Sequence, residues 1–418
     1  MNISKRIKGD IYGGITAGII SLPLALGFGA VSGLGAAAGL YTAIILSIMA
    51  TVFGSTRTQI CGPTGPMTVV VAAMVAAYMD NLAIVFAITA LAGIFQIIFG
   101  LTKLGKVIKV IPKSVISGFI SGIGCITVLL QLAPFLGLPF RGGAIDTIRY
   151  LSTFPAANLQ GVLLGVLAFT IVAFLPKQLV KVIPFSLIAL VAGTLASIVL
   201  RFDVPTIGVI QNGMPEIRVV SIDLDKLLYI IPLALSIAVL SSIDTLMTSL
   251  VVDKKLNTRH NSNKDLIGIG LGNALAGVFG GFAGSNSTVP TMANIKFGGT
   301  TRFSGIASTS TLILILLFLA PVVGVIPLAV LAGILVRIGI GVIDWRFLKE
   351  ILKGKQRAQD ALSMLAVLII TIFGNLIVGV VAGTLLYYLI RCARYFIIHR
   401  RRIYRRLAQD AYVQSDIL

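Results

Sequence analysis

Apolar runs of roughly 17–25 residues, the length an α-helix needs to cross a hydrocarbon core of about 30 Å, follow one another along almost the whole chain. Lipid offers no partner to a bare backbone, so such runs fold either as helices or as the strands of a closed barrel. The alternating ten-residue pattern of a membrane barrel is absent. Hydrophobic residues make up 57% of the 418 and charged residues 12%, where soluble domains carry about 25% charged residues. Mean hydropathy is +1.00. The expected fold class is an all-α polytopic membrane protein.

Hydropathy and helix breakers place spans near 11–30, 35–53, 65–79, 82–101, 112–133, 158–175, 182–200, 226–252, 265–283, 287–295, 303–320, 324–343, 360–376 and 377–391. That makes about 14 transmembrane segments, of which 287–295 is too short to cross alone. The net charge of +19 sits in short loops, which speaks for membrane orientation rather than nucleic acid. With the N-terminus inside, 28 of the 34 Lys and Arg fall in cytoplasmic stretches and five outside, and Arg337 lies within a span. This bias sets both termini in the cytoplasm of a multi-pass inner (plasma) membrane protein. The first apolar run lacks a clear small-residue cleavage site and is read as a span, not a signal peptide.

The longest polar connection, 201–225, carries Asp203, Glu216, Asp223 and Asp225 and falls outside. It divides the chain into a first half of seven segments (1–200) and a second half of seven (226–395), followed by a basic cytoplasmic tail (396–418). An odd number per half forces opposite orientations, the 7+7 inverted repeat of many secondary transporters. In each half the third span is short and opens in a Gly/Pro/Ser/Thr-rich stretch.

Those two openings carry the candidate chemistry. In Gly62-Pro63-Thr64-Gly65-Pro66, the prolines and glycines break any helix, and Pro66 suits a first helical turn near a capping Thr64. In Gly284-Ser285-Asn286-Ser287-Thr288-Val289-Pro290, Pro290 plays the same part, with Ser287 or Thr288 as cap. Inverted halves bring both helix N-termini towards mid-membrane, where unpaired N–H groups and about half a positive charge each favour an anion. Ordinary capped turns are the alternative for each break taken singly. Asp244 stands alone in the apolar stretch 230–250, with Ser241 and Thr248 on the same helical stripe. A carboxylate at such depth marks a functional site. With flanking hydroxyls it suits a hard cation or a proton, unless neighbouring N–H groups or Arg337 simply neutralise it. No second deep carboxylate is expected beside it.

Other features have plainer readings. Gly27, Gly29, Gly33, Gly35 and Gly39 permit close helix packing, Phe28 fills core or lines the site, and Gln59 bonds backbone at the first break. The stretch His260-Asn261-Ser262-Asn263 caps the helix that Asp265 opens. Arginines from Arg391 to Arg406 lie along anionic headgroups or bind a partner. Three cysteines (Cys61, Cys125, Cys392) and two histidines (His260, His399) are too few and scattered for a disulfide framework or zinc site. An intramembrane enzyme would need a nucleophile–base pair or a metal cluster, and no enzymatic activity or organic cofactor is expected.

Several stretches together resemble the SulP family of anion transporters, and within it the sodium-dependent bicarbonate transporters of the BicA type. They are SLPLALGFGAVSGLGAAAGLY at 21–41, QICGPTGPMTVV at 59–70, SSIDTLMTSLVVD at 241–253, HNSNKDLIGIGLGNALAGVFGG at 260–281 and IPLAVLAGIL at 326–335. The resemblance implies seven-plus-seven helices split into core and gate domains, with elevator-type alternating access. It implies sodium as coupling ion at Asp244, Thr248, Asn286 and Thr288. It implies an anion, bicarbonate before sulfate, beside Thr64, Gly65, Phe28, Asn286, Ser287 and Thr288. A sodium-independent sulfate, oxyanion or chloride transporter or exchanger is the alternative. Two departures stand out: Pro290 replaces an arginine that many relatives carry just after the second break, and the break itself reads GSNST. A bound cation beside Asp244 would replace that charge. The chain stops soon after the last span without the STAS domain typical of the family, as a shortened form or a naturally short member. Expected partners are the anion and membrane lipids, with a homodimer left open and no nucleic acid.

Overall fold

The structure is a computed structural model and describes residues 3–105, 111–138, 144–153, 156–175, 185–208, 227–374 and 378–393. The basic tail 396–418 and most of the connection 201–225 lie outside the described residues. Fourteen helices coincide with the fourteen expected spans. In the first half they are α1 (Ile3–Val31), α2 (Ala36–Phe53), α3 (Gly65–Ala77), α4 (Ala83–Leu101), α5 (Lys113–Phe135), α7 (Leu159–Phe174) and α8 (Phe185–Val199). In the second they are α9 (Leu227–Leu256), α10 (Ser262–Val278), α11 (Thr288–Lys296), α12 (Arg302–Phe318), α14 (Leu328–Val342), α16 (Ala358–Phe373) and α17 (Val378–Ala393). Three short helices, α6 (Ala144–Leu151), α13 (Ala320–Gly324) and α15 (Trp345–Leu352), join them. Among the described residues five helices, α1, α2, α4, α5 and α9, are long and apolar enough to cross a membrane unaided.

Two compact units emerge, and neither is a half of the chain: one comprises Met1–Lys109 with Ile123–Val342, the other Val110–Gly122 with Ile343–Leu418. In the first, helices from both halves interleave, and the closest pairings are α4 with α10, α1 with α12, α2 with α10 and α7 with α14. Glycines make these approaches feasible. A Cβ on Gly93 of α4 would stand 2.2 Å from the Ala274 backbone nitrogen of α10, and one on Gly39 of α2 would stand 1.9 Å from the Ala25 carbonyl of α1. Gly29 and Gly39 thus serve packing, as expected. Gly33 and Gly35 do otherwise: they adopt φ of 83° and 93° in the α1–α2 turn, backbone that L side chains avoid.

In the second unit, α16 packs on the start of α5, where a Cβ on Gly118 would meet the Met364 carbonyl at 2.5 Å. Asp344 caps α15 by accepting from the Phe347 N–H and also accepts from the Ser117 hydroxyl at 2.7 Å.

Candidate functional site

The two breaks meet as strands. Residues Cys61–Gly62 (β1) pair antiparallel with Ser285–Asn286 (β2), Cys61 opposite Asn286 and Gly62 opposite Ser285. Extension past each strand brings the start of α3 and the start of α11 to the two ends of one short ladder. The Ser287 N–H donates to the Ile60 carbonyl at 2.9 Å. A Cβ on Gly284 would lie 2.4 Å from the Gly62 carbonyl, so the crossing admits only glycine there. Helix α2 satisfies the exposed backbone. Ser47 donates to the Cys61 carbonyl (2.8 Å) and accepts from its N–H (3.1 Å), while Thr42 does the same for Phe282 at 3.0 and 2.8 Å. These hydroxyls replace the ladder that broken helices lose inside lipid.

Asp244 of α9 faces this crossing, half-buried. Its Oδ2 accepts from the Thr64 hydroxyl at 3.0 Å and from the Ser285 hydroxyl, and those two hydroxyl oxygens lie 2.9 Å apart. Three close oxygens share two hydroxyl protons when the carboxylate is ionised, so one edge of the triangle lacks a hydrogen. A proton or a cation stabilises such an arrangement. One turn further along α9, Thr248 donates to the Asn286 carbonyl at 3.3 Å and stands 2.7 Å from the Thr288 hydroxyl. Thr64 and Ser287 occupy the N-cap positions of α3 and α11, with Pro66 and Pro290 in the first turns, yet neither cap side chain accepts from its helix. Thr64 spends its hydroxyl on Asp244 instead. That leaves the first turns of both helices without a side-chain cap.

Phe28 is buried in a cluster with Leu24 and Leu335, and its ring tip lies 4.0 Å from where a Gly65 Cβ would stand. It therefore borders the α3 end of the site. Ser287 is half-buried and Thr288 exposed. Asn286 turns its side chain away: the amide donates to Gln59 at 2.8 Å, and its oxygen lies 2.7 Å from the Cys61 sulfur. What Asn286 presents towards Thr248 is its backbone carbonyl. Gln59 also donates to the Ala50 carbonyl, so the backbone its side chain holds is that of α2 and not of the break.

Several residues of this region escaped the sequence reading. Ser285 is the hydroxyl of the second break that reaches Asp244. Ser241 does not join the carboxylate. It donates to the Gly284 carbonyl at 2.6 Å, within a buried set where Asn273 bonds both Gly284 and Gln96. Asp265, in the first turn of α10, is a second buried carboxylate. Asp265 has no exposed surface and accepts from the Ser55 and Thr56 N–H groups and from the Ser55, Thr56 and Ser249 hydroxyls. Five donors, two of them backbone, offset its burial. Capping of α10 falls to Asn261, as expected of that stretch. Arg337 forms no ion pair with Asp244 among the described residues, so the carboxylate is not neutralised that way.

Comparison with known proteins agrees with this architecture. A sequence model described as the Sulfate permease family matches residues 7–367. Bicarbonate transporter BicA of a Picosynechococcus species is 44% identical over 395 residues, covering 91% of this chain and 69% of that protein. Its namesake in a Synechocystis species is 43% identical over 389 residues, covering 91% and 68%. The solved transmembrane domain of a cyanobacterial bicarbonate transporter BicA superposes with a TM-score of 0.80 at 42% identity, covering 92% of this chain and 98% of that one. The protein belongs to the Sulfate permease family and has its helical membrane fold.

Proposed function

We propose that this protein is a secondary active transporter that carries bicarbonate with sodium across the cell inner membrane, both termini in the cytoplasm. The observation that carries the reading is the crossing itself: two uncapped helix N-termini and a carboxylate held at one β1–β2 ladder. Sodium, as co-transported cargo, is assigned to Asp244, Thr248, the Asn286 carbonyl and Thr288, all oxygen donors suited to a hard cation. The anion is assigned to the N-termini at Thr64–Gly65 and Ser287–Thr288, with Phe28 as its apolar wall. Asn286 contributes through its backbone.

Each ion improves the site for the other. A cation offsets Asp244, whose charge would otherwise repel the anion, and supplies the positive charge that Pro290 cannot. Binding is then positively coupled, and by linkage the coupling is reciprocal. Alternating access follows from elevator-like movement of the helices that carry the site. Sulfate is the second substrate reading, favoured by the family description, and a sodium-independent exchanger would use the same helix ends.

Uptake of labelled bicarbonate into proteoliposomes, with an inward sodium gradient and without, tests the proposal. Uptake that follows the gradient supports it; uptake indifferent to sodium but driven by internal anion favours exchange.

A further inference from the structure

A cavity of about 230 Å³ opens where α1 ends and α14 begins, lined by Gly27, Ala30, Gln131, Thr206, Leu328 and Leu331 among others. None of its lining side chains among the described residues is charged. Gln131 of α5 is 2% exposed, and its Nε2 meets no acceptor among the described residues. Buried donors in folded proteins are almost always paired, so the unpaired amide of a cavity-lining residue is a donor that a rotation of its side chain would turn to an acceptor from outside the chain. Gly27 on the cavity wall precedes Phe28 of the Asp244 site. Leu335 lies 2.4 Å from the Cβ position of Gly27 on the cavity wall and packs with Phe28, whose ring reaches Gly65 at the start of α3. Leu335 and Phe28 thus link the Gly27 wall of the cavity to Gly65 by packing.

We propose that this cavity is a second, weaker oxyanion subsite through which the transported anion enters, with Gln131 as its donor. The inference rests on the reading of the chain as an anion transporter. A neutral donor suits a transit site: it offers a hydrogen bond to an oxyanion without the charge that would hold it. Among the described residues no acidic side chain lines the cavity to repel the ion. Passage must be favourable enough to enter and weak enough to leave.

The test uses the full chain in proteoliposomes with Cys392→Ser and Ala30→Cys, and a membrane-impermeant thiol reagent. Sodium bicarbonate or sodium sulfate, each at about twice its dissociation constant, should slow modification about threefold. Gln131→Leu and Gln131→Glu should both remove that protection, while Asp244→Asn should keep it. Modification insensitive to either anion, or protection that survives both Gln131 variants, overturns the subsite. Protection in a chain that shows no uptake upholds the subsite and contradicts the transport reading; uptake without protection does the reverse.

Discussion

Thr64 and Asp244 stand 180 residues apart in sequence and share a hydrogen bond of 3.0 Å. That bond ties the uncapped end of α3 to the carboxylate of α9, so whatever binds Asp244 also sets the anion-facing helix end. Thr64→Val keeps the shape and removes the hydroxyl. Loss of one hydrogen bond to a charged group, about 1.5 kcal/mol or more, should raise the bicarbonate KM about tenfold. Thr64→Ser should stay within about threefold, which initial uptake rates would show.

Ser285→Ala removes the other hydroxyl from Asp244 Oδ2 and ends the crowding of three oxygens around two protons. Cation affinity should fall more than anion affinity, because the hydroxyl donates to the carboxylate and meets the α3 end only through the Thr64 hydroxyl. Sodium and bicarbonate titrations of uptake, each at saturating partner ion, would separate the two.

Asp265→Asn places amide hydrogens against donors that now point at a carboxylate. With five donors converging on a fully buried group, the change should cost about 2–4 kcal/mol of stability. A lower melting temperature in detergent with unchanged expression would register it, and Asp265→Ala should be no better.

Gly39→Ala drives a methyl to 1.9 Å from the Ala25 carbonyl, backbone against backbone. Separation of α1 from α2 should destabilise by about 1–3 kcal/mol. Gly35→Ala meets no atom within 4 Å but must hold φ of 93°, so its loss should come from backbone strain alone. Both would appear as earlier thermal unfolding.

Much of this was legible in the residues. Apolar run lengths placed an expected span over each of the longer described helices, and the matched breaks at Gly62–Pro66 and Gly284–Pro290 marked where two helices start mid-chain. Which hydroxyl meets Asp244 was not legible, because strand register decides it. Along an extended segment side chains alternate faces, so once Gly62 pairs with Ser285, Thr64 and Ser285 turn towards Asp244 and Asn286 turns towards Gln59. A one-residue slip would exchange those roles. The burial of Asp265 was not legible, because its partners Ser55, Thr56 and Ser249 come from distant loops and helices. The division into compact units was likewise hidden, since it depends on which helices interleave rather than on chain order.

The central claim is that Asp244 couples sodium to the anion, and initial bicarbonate uptake by Asp244→Asn at varied sodium measures it most directly. The account predicts that sodium stimulation disappears and uptake falls at least about tenfold, as expected when a charged cation ligand is lost. Sodium stimulation of unchanged size in that variant would contradict it.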